Sequence, residues 1–99
     1  MTKPSYSDYI RHAIRFYARY HKPHFKTEVD RANWWSCHNV IKNCTERDTD
    51  ILLYVYGAFD TLGDNVYAMA KKYNIDQNII WDMMKEFERK VAVERGLWI

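Results

Sequence analysis

Met69-Ala70-Lys71-Lys72-Tyr73-Asn74-Ile75-Asp76-Gln77-Asn78-Ile79-Ile80-Trp81-Asp82-Met83-Met84 is the stretch whose reading decides the fold. Two helical patterns meet in it. Before Asn74, the residues Val66, Met69, Ala70 and Tyr73 recur at the spacing that lines one face of a helix. After it, Ile80, Met84, Phe87 and Val91 repeat at i, i+4, i+7 and i+11. Asparagine tolerates the left-handed conformation that ends a helix, and Asp76 is a ready N-cap for the next one. Two helices joined by so short a turn make a helix-turn-helix. Such a crossing requires a small residue where the helices meet, which Ala70 supplies. It also requires an apolar residue past the turn, Ile75, and inward apolar positions on the second helix, Ile80 and Met83.

Outward from this unit, three more helices are read by the same rules. Thr45-Glu46-Arg47-Asp48 has the form of a capping box with Asp in the usual Glu position. Ile51, Leu52, Val55 and Phe59 follow it as an apolar stripe. Asp60 to Asp64 reads as a loop, with Asp64 capping a helix over about Asn65–Tyr73. Thr27 caps a helix to about Asn43, whose inner face carries Trp34, Cys37, Ile41 and Cys44. A first helix spans about Ser7–Tyr20 with Ile10, Ala13, Ile14 and Tyr17 inward; Arg11, Arg15 and Arg19 form a basic stripe beside them. The expectation is therefore an all-α domain of about five helices. Residues 1–44 form an N-terminal helical pair and residues 45–99 a trihelical unit with the helix-turn-helix.

Composition agrees with this class. The 99 residues contain only three Gly and two Pro, too few turn-formers for a sandwich or barrel. No apolar run is long enough for a membrane span, and Met1 to Ser5 lack the apolar core of a leader; the expected location is the cytoplasm. Cys37 and Cys44, two turns and ~10 Å apart along one helix, are expected to be reduced. Sixteen per cent of the chain is aromatic, including four Trp and eight Tyr, more than so small a core absorbs. The charge is uneven. Residues 1–26 carry six Lys or Arg against one acid, and residues 27–64 carry seven acids against three bases.

The second helix of the motif leaves Gln77, Asn78, Trp81, Asp82 and Lys85 facing outward. In a DNA-binding helix-turn-helix this edge enters the major groove, and Gln and Asn pair bidentately with adenine. Plainer roles stand beside these. Gln77 and Asn78 also suit an ordinary helix start. Trp81 also suits packing against the N-terminal helix, and the arginine stripe suits pairing with the acidic middle of the chain. Catalysis and metals find no support. No phosphate loop, nucleophile elbow or zinc-protease signature is present. His21-x-x-His24 with Cys37 and Cys44 lacks the close ligand pairs of a structural zinc site. No enzyme activity, cofactor or metal is expected.

Thr45-Glu46-Arg47-Asp48-Thr49-Asp50-Ile51-Leu52, followed by Tyr54-Val55-Tyr56-Gly57, resembles the opening helix of region 4 of sigma-70-type sigma factors. Met69 to Asp76 is similar to that family's Ile-Ala-x-x-Leu-Gly-Ile-Ser. Ile79-Ile80 stands at its Thr-Val and Arg89-Lys90-Val91 at its Arg-Lys-Leu. The resemblance spans about residues 44–95. The chain departs from the family at the turn glycine, here Asn74, and on the reading face, where Trp81 and Asp82 stand in place of Arg or Gln. The connection Ala58–Asn65 also differs in sequence from the family's Gly-rich one. The resemblance implies a transcription regulator of phage or mobile-element type that binds double-stranded DNA; many helix-turn-helix proteins bind paired half-sites as dimers, so a homodimer is a further expectation. Gln77, Asn78, Trp81 and Lys85 then lie on the DNA-facing edge, and Lys71, Lys72 and Arg89 at phosphates. The acidic middle and the aromatic surplus suit another role, a module of the same shape that binds RNA polymerase or another protein.

Overall fold

The computed structural model describes residues 6–20 and 25–97, and His21 and His24 lie outside them. Five helices follow in order: α1 (Tyr6–Arg19), α2 (Glu28–Ile41), α3 (Glu46–Gly57), α4 (Leu62–Tyr73) and α5 (Gln77–Glu94). There is no strand among the described residues, and no helix there is long and apolar enough to cross a membrane.

Local chemistry sets most of the boundaries. The hydroxyls of Thr27, Thr45 and Thr61 each accept the backbone N–H three residues on, at 3.1 Å, and so satisfy one orphan donor at the starts of α2, α3 and α4. The third cap corrects the sequence reading. The segment Asp60–Asp64 is not all loop: α4 begins at Leu62, and Asp64 lies in its first turn beside the positive end of the helix dipole. Gly63 drew the reading toward a loop, but the Thr-x-x-Asp cap outweighs its modest helix cost. A second correction concerns Phe59. The helix α3 ends at Gly57, Ala58 is extended, and Phe59 therefore leaves the apolar stripe and is 87% exposed.

One core joins all five helices. Ile10 and Ile14 of α1, Cys37 and Ile41 of α2, Ile51, Leu52 and Val55 of α3, Val66 and Met69 of α4, and Ile80, Met84, Phe87 and Val91 of α5 are buried together. The helix α1 packs on α2, α3 and α5, so the N-terminal pair and the trihelical unit share this core. It approaches α3 so closely that a Cβ at Gly57 would meet the Ala18 Cβ at 3.1 Å. The surplus aromatics gather outside it. Trp34 is buried and stacks on His38, with ring centroids 4.9 Å apart, beside Tyr17 and Phe25. Trp35 stays 42% exposed. Burial pushes the Tyr17 hydroxyl and the Cys37 thiol up to about 12 each, with Cys37 adding to the rise at Tyr17. Both cysteines are free.

Asn65 closes the α3–α4 connection. It is almost wholly buried, and its Nδ2 donates to the Val55 carbonyl at 2.9 Å and reaches those of Ala58 and Asp60 at 3.4 Å. These carbonyls belong to the end of α3 and the residues after it, where intrahelical donors run out. Removing a buried hydrogen-bond partner leaves such groups unsatisfied. Asn65→Ala is therefore expected to lower stability by about 1–3 kcal/mol, measured as a fall in the urea midpoint at unchanged slope.

Candidate nucleic-acid interface

The α4–α5 junction is built by backbone chemistry. Asn74 adopts φ 54°, ψ 51°, the left-handed conformation, and its N–H reaches the carbonyls of Ala70 and Lys71. The Ile75 N–H bonds the Ala70 carbonyl at 3.0 Å, which completes the six-to-one closure of a Schellman motif. Ile75 packs partly buried against the core, and Asp76 caps α5 by accepting the Asn78 N–H at 2.7 Å. Three residues, Asn74 to Asp76, thus separate the two helices. This is the turn length of a helix-turn-helix.

An open groove lies at this junction, walled by Tyr67, Ala70 and Lys71 of α4, Ile75 and Asp76 of the turn, and Gln77 and Asn78 of α5. The structure brings together Lys71, Gln77 and Asn78 among the candidate residues, all three exposed. Lys71 makes no ion pair among the described residues, and its ammonium stands 6.0 Å from the centroid of the Tyr67 ring. Lys85 is also exposed, two turns along α5. Trp81 is partly buried and packs against the core, so only part of its indole faces outward.

The other two candidate phosphate contacts are engaged within the chain. Lys72 Nζ pairs with Asp50 Oδ2 at 2.8 Å, and the Tyr73 hydroxyl donates to the same oxygen. The Lys72 and Tyr73 donors hold the Asp50 carboxyl below its ordinary range, and Asp50 in turn raises Lys72. Arg89 pairs with Glu86 at 2.5 Å, one turn apart on α5, which lowers the Glu86 carboxyl. Arg89 stands at the rim of a second groove, between α2, α3 and α5, apart from the Lys71–Asn78 cluster.

Two exposed apolar residues at the edge were not singled out from the sequence. Tyr67 (55% exposed) lies one turn before Lys71, and Ile79 (48% exposed) lies next to Asn78. Their helical positions gave the available signal: Tyr67 shares a face with Lys71, and Ile79 falls off the Ile80–Met84–Phe87 stripe. Among the described residues, no three His, Cys, Asp or Glu side chains are placed to hold a metal ion. No protein-family model, curated protein or solved structure matches this chain.

Asp50 ties α3 to α4, and its depressed pKa gives that tie a pH dependence. The unfolded chain, with Asp near 3.9, takes up its proton first as pH falls. The contribution is therefore present above about pH 4 and is lost as pH drops through the folded value. Asp50→Asn removes this titration. The fall of the urea midpoint below about pH 4 is expected to be shallower in the variant than in the wild type.

Proposed function

We propose that this chain is a duplex-DNA-binding domain that works as a cytoplasmic transcription regulator of the sigma region 4-like kind its sequence resembles. The observation that carries the reading is the convergence of Lys71, Gln77 and Asn78 on one open groove at a closed, three-residue helix–helix turn. The start of α5 enters the major groove in this reading. Gln77 and Asn78 pair with adenine edges, each good bidentate pair contributing about 1–3 kcal/mol of discrimination. Ile79 offers apolar contact to a thymine methyl. Lys71 neutralises a phosphate.

Lys72 and Arg89 take part only by exchanging partners. Their ion pairs are half-exposed, with side-chain exposures of 54% and 42% for Lys72 and Asp50. Exposed pairs contribute little, about 0–1 kcal/mol, so a phosphate competes with the carboxylate on comparable terms. Two copies on half-sites about 34 Å apart would double the contact.

A second reading, a module that binds RNA polymerase or another protein, is favoured by one separate observation. Phe59 is 87% exposed, covered on one face by the Arg19 guanidinium 4.1 Å from its centroid, and Tyr20 is 57% exposed. Arginine and aromatic residues are the side chains that anchor protein interfaces.

Fluorescence anisotropy with random-sequence duplex DNA over a salt series decides between them. DNA binding predicts affinity that falls linearly on a log–log plot with salt, and a slope reduced by about one in Lys71→Ala. Absence of binding even at low salt overturns the DNA reading and favours the protein partner. In the same assay Asp50→Asn is expected to bind tighter than wild type, because it releases Lys72 for phosphate and removes one repelling charge.

A further inference from the structure

Of the basic stripe on α1, two residues are engaged within the fold. The Arg11 Nε donates to Glu88 Oε2 at 2.9 Å. The Arg19 Nε donates to the Gly57 carbonyl at 3.0 Å. Arg15, between them, is exposed and makes no ion pair or side-chain hydrogen bond to any described residue; His12 beside it is exposed as well. The two outer arginines fix the helix, and the middle one faces solvent.

The Arg11–Glu88 pair also fixes where that cation sits. It clamps α1 along α5, and each helix carries an exposed cation one turn from the clamp: Arg15 after Arg11, and Lys85 before Glu88. Residues three or four apart on a helix have Cβ atoms about 5–6 Å apart. The Cβ of Arg15 thus lies about 5–6 Å from that of Arg11, and the Cβ of Lys85 about as far from that of Glu88. Glu88 does not cancel the two cations, since Arg11 already neutralises it and its side chain is only 14% exposed. The other acids along these two helices are Asp8, one turn before Arg11, Asp82, one turn before Lys85, and Glu86 beside Lys85, which is paired with Arg89.

We infer that α1 is part of the DNA-binding surface, with Arg15 and Lys85 together receiving backbone phosphate at the α1–α5 seam, separately from Lys71 at the turn. This rests on the duplex-DNA reading above and extends it. The helix-turn-helix alone offers one free lysine beside its turn, and the N-terminal helix supplies the second anchor that fixes register on the duplex. Arg11 and Arg19 are positioning residues: they hold α1 so that Arg15 faces the same partner as α5.

The test is the anisotropy salt series on the full chain with random-sequence duplex DNA, comparing wild type, Arg15→Gln, Lys71→Ala and Lys42→Gln. Lys42 is an exposed cation at the end of α2 and controls for net charge. The inference expects Arg15→Gln to reduce the salt slope by about one, Lys42→Gln to leave it near the wild-type value, and the urea midpoint of Arg15→Gln to stay unchanged. A wild-type slope in Arg15→Gln, with a reduced slope in Lys71→Ala, overturns the role of α1 and leaves the DNA reading standing. Equal losses in Arg15→Gln and Lys42→Gln also overturn it, because net charge alone then accounts for the change. No binding by the wild type at low salt removes the DNA reading itself, and this inference with it.

Discussion

The carboxylate of Glu88 is held from two sides, by Arg11 of α1 at 2.9 Å and by the Tyr56 hydroxyl of α3 at 2.5 Å. A mostly desolvated carboxylate is costly unless it is paired and hydrogen-bonded, so its position dictates theirs. Burial, and next the negative charge of Glu88, push the Tyr56 hydroxyl well above its ordinary range, which keeps it protonated and donating. The Tyr56 ring is buried and lies 6.2 Å from Phe87, one residue before Glu88. This one contact thus joins α1, α3 and α5 at a point where apolar packing alone would allow the helices to slide. Apolar burial stabilises the domain without direction; the carboxylate gives the three helices one register.

That register is what turns a helix-turn-helix into a surface. The turn itself is local: Asn74, Ile75 and Asp76 close it through backbone bonds and a cap, with no help from α1 or α2. What the turn cannot set is which side of α5 remains open. The helix α2 takes one flank, where the Asn39 amide donates to Glu94 at 3.1 Å. The helix α1 takes another through Arg11. The first turn of α5, Gln77 to Ile79, is left exposed, and Trp81 is drawn partly into the core.

The fold was largely legible in the sequence, because its signals are short-range. The left-handed Asn74, the Asp76, Thr45 and Thr27 caps and the stripe Ile80–Met84–Phe87–Val91 are all present in the structure. The misreadings sit where two local signals compete. At Thr61–Asp64 a cap and a glycine disagree, and the cap prevails; at Phe59 a helical period runs on past the residue where the helix stops. The candidate site was legible by residue but not by pairing. That Lys71 is free while Lys72 meets Asp50 depends on how α4 lies across α3, over a separation of 22 residues. No period or spacing carries that information. The fate of the arginine stripe was hidden for the same reason, since the partner of Arg11 is 77 residues away.

These pairings bear on how so evenly charged a chain could hold a polyanion. A net charge of +2 is small, and the exposed Asp82 and Glu86 stand on the very helix proposed to read bases. Under the proposed DNA reading, long-range attraction would therefore be weak, and affinity would come from a few cations placed at phosphate distance rather than from a general field. The chain spends its acids accordingly. Asp50, Glu86 and Glu88 are each bound to a cation of the same chain, which removes their repulsion at the cost of occupying Lys72, Arg89 and Arg11. Of the cations left without an ion pair among the described residues, Lys71, Lys85 and Arg15 are the ones proposed to meet phosphate and belong to α4, α5 and α1, while Lys26, Lys42 and Lys90 are exposed as well. Contacts drawn from three helices resist rotation on the duplex better than contacts drawn from one. A small set of free charges can in this way orient the first turn of α5 that a larger but diffuse positive charge would leave loosely docked.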